Sequence, residues 1–137
     1  MTEGDGRCQY KYEVASKHCS HPALPGETLC ILHSSNPQKD PKLFLKWLNY
    51  NTYFDFEGYV FPGVAHFSFQ SFESEDPELE GHATTNFRDA HFLKRAEFTG
   101  AVFDGHAAFG GAHFFGEALF DRTSFGTQAD YAGAEFH

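Results

Sequence analysis

Cations are scarce where this chain is richest in aromatic rings. The 137 residues carry 10 Lys/Arg against 19 Asp/Glu, a net charge of −9. The imbalance is local: residues 1–53 hold six Lys/Arg and five Asp/Glu, whereas residues 54–137 hold four against fourteen. With no basic stripe to neutralise phosphates, direct binding of nucleic acid is not expected. Long apolar runs are missing too, so no segment is expected to span a membrane, and "MTEGDGRCQY" lacks the charged-then-apolar plan of a signal peptide. These absences point to the cytoplasm. Catalytic signatures are also missing: there is no G-x-S-x-G, no Walker loop and no H-E-x-x-H. A non-enzymatic protein is the expectation. Cysteine is sparse, with three residues, and an odd count without a secretory signal argues against a disulfide framework.

What is present is a repeat. An aromatic residue returns at Phe87, Phe92, Phe98, Phe103, Phe109, Phe114, Phe120, Phe125, Tyr131 and Phe136, in alternating steps of 5 and 6. Two residues before each ring stands Ala or Thr, from Thr85 and Ala90 through Thr123 to Ala134. Two residues after it the chain often gives Gly, as at Gly100, Gly105, Gly111, Gly116 and Gly133. A fixed period of this kind fixes the architecture before any single element is assigned.

Positions two apart on an extended chain share a face, so the small residue and the ring point inward together. The remaining residues of each unit carry a turn, where Gly accepts backbone angles that a side chain resists. One unit cannot bury its own ring, but stacked coils bury a continuous column. A narrow tube has room for one large side chain per side, which accounts for the Ala or Thr. Helix is excluded by period, because steps of 5 and 6 walk around a 3.6-residue spiral.

The stretches "AEFTGAVFDG" and "AAFGGAHFFG" resemble the pentapeptide-repeat family, whose unit is a small residue, any residue, then Leu or Phe. The resemblance covers Thr85–His137 well and Tyr53–Phe72 more loosely. It implies an all-β fold, a right-handed quadrilateral β-helix with one unit per side. Every second unit departs from the pattern by an extra residue (Arg95, His106, Glu117, Gln128), so four sides take 22 residues instead of 20.

Ahead of the repeat stand Cys8, Cys19, Cys30 and His33, spaced C-x10-C-x10-C-x2-H. Three thiolates and an imidazole make a closed tetrahedral set that suits structural zinc and leaves no open position for water. Pro22, Pro25 and Gly26 leave little scope for regular structure between the ligands, so metal binding of roughly 10–16 kcal/mol is expected to fold the segment. His18 and His21 flank Cys19 and are the substitutes should one ligand differ. The spacing is similar to the small zinc module of three cysteines and one histidine in plant growth-regulating factors. "CILHSSNPQKD" resembles the lead that precedes the repeats in some bacterial pentapeptide-repeat proteins.

The expected organisation is a zinc-binding segment over 1–39, a capping helix over 40–52 and a β-solenoid over 53–137. Asp40–Pro41 is a helix start, and Leu43, Phe44, Trp47 and Leu48 lie on one helical stripe. Zinc knot and helix together would close the N-terminal end of the solenoid, since an open end exposes its aromatic column. Phe56, Phe61, Phe67 and Phe72 form a degenerate first coil that loses its small partner at Phe54, Tyr59 and Gln70. "ESEDPELEGH" (73–82) then interrupts the rhythm as an acidic loop.

Coils of 22 residues place His91, His113 and Glu135 in one outward stack, and Leu93, Phe115 and His137 in the next. A second metal site or a general base is one use of the first stack; plain polar surface is the default. The repeat runs into His137 without a cap, which predicts either a homodimer through that end or a natural chain that continues. The functional expectation is a zinc-capped interaction or scaffold module for a protein partner. The alternative is an acidic DNA mimic acting on a DNA-binding enzyme such as a type II topoisomerase. The excess acid fits that in sign, but ten units after the loop make only about 12 Å of rod at ~4.8 Å per coil.

Overall fold

The structure is a computed structural model that describes residues 6–12, 17–49, 55–72, 84–126 and 128–137. The expected acidic loop, Phe54 and the join between helix and solenoid lie outside the described residues.

From Asp55 onward the chain winds through four parallel sheets. One face stacks Val60–Phe61, His91–Phe92, His113–Phe114 and Glu135–Phe136. The next stacks Ala65–His66, Ala96–Glu97 and Ala118–Leu119, and the third stacks Ser71–Phe72, Val102–Phe103 and Ser124–Phe125. The fourth stacks Thr84–Asn86, His106–Ala108 and Ala129–Asp130, with Asp55 bridged to Asn86 as an earlier rung. Register gives the coil length directly: His91 lies opposite His113, and His113 opposite Glu135, 22 residues apart each time. Between the first two coils the offset is 31, as at Val60 opposite His91, nine more than 22.

The alternation of 5 and 6 is an alternation of two corners. Within each five-residue step the corner is tight, and the N–H three residues past the ring donates to the ring residue's carbonyl. Ala90 to Phe87, Ala101 to Phe98 and Ala112 to Phe109 do so at 2.9–3.1 Å. The residue before that donor takes positive φ, as the third position of a type II turn requires. Gly58, Gly100, Gly111 and Gly133 fill it, but so do Phe69, Asp89 and Arg122, at φ 57–61°. The wider corners need Gly for a different reason. A Cβ on Gly116 would come within 2.5 Å of the Lys94 main chain, and one on Gly126 would collide with the Asp104 carbonyl.

Rungs of a parallel sheet are about 4.8 Å apart, and the rings inherit that spacing. Phe61, Phe92, Phe114 and Phe136 stack at 4.7–4.8 Å with interplanar angles of 3–6°. Phe67, Phe98 and Phe120 stack at 5.1–5.2 Å. Neighbouring columns meet edge to face, as at Phe87–Phe98 (87°) and Phe98–Phe109 (90°), the packing favoured by the ring quadrupole. Ala90, Ala96, Ala101, Ala107 and Ala112 are completely buried beside them. At the same position Thr123 satisfies its hydroxyl by donating to the Phe98 carbonyl at 2.8 Å.

Helix α1 spans Pro41–Leu48; the Asp40 side chain caps it by accepting from the Lys42 N–H at 2.9 Å. Phe44 is buried against Phe61, and Leu43, Trp47 and Leu48 pack on the same core. No helix among the described residues is long and apolar enough to cross a membrane.

Candidate metal centre

The N-terminal segment is a loose antiparallel fold with very little ladder. Arg7 bridges Pro22, Lys11 bridges His18, and the Cys8 N–H donates to the His21 carbonyl at 2.9 Å. These contacts return Cys19 to Cys8, while the turn over Ile31–His33 brings His33 back over Cys30. The Ser34 N–H donates to the Cys30 carbonyl at 2.8 Å, which fixes that turn.

The result is a buried group of four donors. Cys8, Cys19, Cys30 and His33 offer ligand atoms that all lie within 4.8 Å of one another. Cys19 Sγ is 3.8 Å from Cys30 Sγ, and His33 Nδ1 is 3.3 Å from Cys30 Sγ and 3.5 Å from Cys8 Sγ. Sulfurs about 2.3 Å and a nitrogen about 2.0 Å from a tetrahedral centre stand about 3.8 Å (S to S) and about 3.6 Å (S to N) apart. The measured edges match a metal-centred tetrahedron. No cysteine is in a disulfide.

The two alternative histidines separate cleanly. His18 is exposed. His21 Nδ1 reaches Cys19 Sγ at 3.5 Å but does not join the group of four; its ring lies edge-on to Trp47 instead.

His33 is held in the orientation a ligand needs. Its Nε2 donates to the Glu57 carbonyl at 3.0 Å, leaving Nδ1 to face the sulfurs. That arrangement fixes the tautomer and makes the ring a better donor. Tyr10 stacks on the ring at 4.1 Å and 7°, and Tyr59 meets its edge at 5.3 Å. Tyr10 in turn rests on Gly58, where any Cβ would collide with the phenol ring.

The four donors perturb one another strongly. Hydrogen bonds from Cys19 and Cys30 push the Cys8 thiol far below its ordinary value, while hydrogen bonds to Cys30 and Cys8, together with burial, push Cys19 far above. Burial alone would lower His33, but hydrogen bonds with Cys30 and Cys8 outweigh it and raise it to about 9. A divalent cation at the centre could hold all three sulfurs as thiolates.

The centre is tied to the first coil through main chain and side chain. The Val60 N–H donates to the Leu32 carbonyl at 2.8 Å, which joins the lobe to the free edge of Val60–Phe61. Asp55 pairs with Lys17 and accepts from Asn86, whose Nδ2 also reaches Glu57 at 3.2 Å. Sequence reasoning could not have found the Glu57 and Leu32 carbonyls, because a main-chain acceptor leaves no signal in residue type.

No family model matches the chain. No curated protein and no solved structure matches it.

Proposed function

We propose that the chain is a non-enzymatic protein-interaction module. In this proposal it is a right-handed four-sided β-helix of the pentapeptide-repeat kind. Its N-terminal end is closed by a lobe that Cys8, Cys19, Cys30 and His33 fold around structural zinc. Four buried donors with tetrahedral edges support zinc in that role, since a closed set leaves no position for a reacting water. Right-handed winding is supported by the parallel crossovers between rungs.

The observation that carries the interaction proposal is an apolar groove where the cap meets the tube. It encloses about 470 Å³ between α1 and the first coil, and Phe44, Leu45, Leu48, Phe61, Val64 and Phe67 line it. Leu45 is 52% and Val64 39% exposed. A groove of this kind suits a segment of another protein that inserts apolar side chains. The four Lys/Arg against fourteen Asp/Glu over 54–137 favour basic flanks on that segment. The coil is about 17 Å tall at ~4.8 Å per rung, which supports mimicry of a duplex less well.

Photo-crosslinking from position 45 in source-cell extract should capture one dominant protein. The purified pair should then form a saturable complex that Leu45→Asp with Val64→Asp weakens at least tenfold. Undiminished binding by that double variant, or turnover of substrate by the purified chain, would overturn the proposal.

A further inference from the structure

We infer a second metal site, open and exchangeable, on the outer face of the coil at His113, Glu135 and His137. Its ligand class is a borderline divalent ion such as zinc, cobalt or nickel, for which imidazole and carboxylate are suitable donors.

The ladder assembles the three side chains. Glu135 lies directly opposite His113 on adjacent rungs, and the His137 N–H donates to the Phe114 carbonyl at 2.9 Å. Residues 135 and 137 are two apart, and His137 directly follows the strand Glu135–Phe136 and keeps its pairing to Phe114, so both side chains leave the same side of the sheet as His113. The triangle is therefore set by two paired rungs and not by a loop.

The distances within the triangle suit a shared metal ion. His113 Nδ1 is 3.5 Å from His137 Nε2 and 3.6 Å from Glu135 Oε1, and His137 Nε2 is 3.4 Å from the same carboxylate oxygen. Good N–H···O bonds have heavy atoms about 2.9–3.0 Å apart, so all three contacts are long. Tetrahedral donors about 2.0–2.2 Å from a shared ion stand about 3.3–3.6 Å apart. All three edges meet that condition at once, and the fourth corner faces solvent.

The rings are also held in place. His137 stacks on Phe115 at 4.5 Å and 4°, and His113 lies nearly parallel to His137 at 10°. His91, one rung back, packs against His113 at 4.7 Å. Ligands on rigid strands with supported rings need little reorganisation to bind. Two histidines and one glutamate leave one position for water or an exchangeable ligand, unlike the closed set of Cys8, Cys19, Cys30 and His33.

The test is zinc titration by calorimetry of the full untagged chain, beside the His113→Ala/His137→Ala double variant. The wild-type chain should take up one more zinc per chain than the double variant, with micromolar affinity. Glu135→Gln should weaken that extra site at least tenfold. His137 is 43% exposed on its side chain, so the single variant His137→Ala guards against misfolding. It should keep the thermal midpoint of the wild type and still lose at least tenfold in affinity at the extra site. Equal stoichiometry and affinity in wild type and double variant would overturn the inference.

Discussion

The lobe over Cys8–Ser34 and the coil over Asp55–His137 solve the same problem by opposite means. In the coil each side chain repeats its neighbour's role, and burial is spread along ring columns in which Phe87, Phe92, Phe98, Phe103 and Phe109 are completely enclosed. In the lobe almost nothing repeats. Among its described residues two isolated bridges and a few turn bonds hold the backbone, and cohesion converges on four side chains. Stability in the first case is a sum over coils and declines gradually. In the second it depends on one centre and is lost all at once.

Breaking that centre should give the largest effect. Cys30→Ser removes a fully buried donor of the proposed zinc site, and the lobe should lose most of the roughly 10–16 kcal/mol that such an ion would supply. Hydrogen exchange should show the Cys8 and Ser34 amides and the Val60 amide unprotected, while those of Phe98 and Phe109 stay slow. Equal loss of protection in both regions would erase the contrast drawn here.

An intermediate effect is expected in the coil. Phe98 is completely buried between Phe67 and Phe120, and Phe98→Ala should cost about 3–5 kcal/mol in urea unfolding. Metal uptake at the proposed zinc site should be unchanged, since Phe98 lies one coil beyond Glu57 and Val60, the first-coil residues that touch the lobe.

The smallest effect sharpens the boundary between the two regions. Lys39 is buried, donates to the Ser34 carbonyl at 2.6 Å and lies over the Phe44 ring at 4.8 Å. Burial pushes its amine down to about 7, against a partial pull upward from Cys30 and Glu27. Between about pH 7 and its ordinary 10.5 the unfolded chain binds the proton and the folded chain does not, so stability rises with pH across that window. The slope is at most about 1.4 kcal/mol per pH unit. Thermal midpoints from pH 7 to 9 should rise in the wild type and flatten in Lys39→Met.

Much of the coil was legible because its period is unlike that of helix or ordinary strand. Phe87 to Phe136 could be placed in columns by counting alone. The corners were less legible. Glycine marks only some of the positive-φ positions, because ladder bonds on both sides of Phe69, Asp89 and Arg122 hold those residues where the isolated chain would resist. The four sulfur and nitrogen donors stood out by spacing, whereas the choice of His33 over His21 depended on a turn and a carbonyl. On the outer face, counting put Glu135 and His137 in separate stacks. It was their spacing of two across the end of one strand that joined them, a relation visible only once the strand was known.

The offset of 31 residues between the first two coils has a practical side. The hydrogen-bonded ladder counts rungs, not residues. Nine additional positions enter between Phe72 and Thr84, yet Ser71 still faces Val102 and Asp55 still faces Asn86. Register on both sides is therefore kept whatever the length of chain between Phe72 and Thr84, and doubling a flexible connection costs only about 0.6 kcal/mol. A foreign epitope or a fluorescent domain spliced in there would leave the wall of the tube intact. One residue added inside a strand would turn every later side chain on that strand inside out.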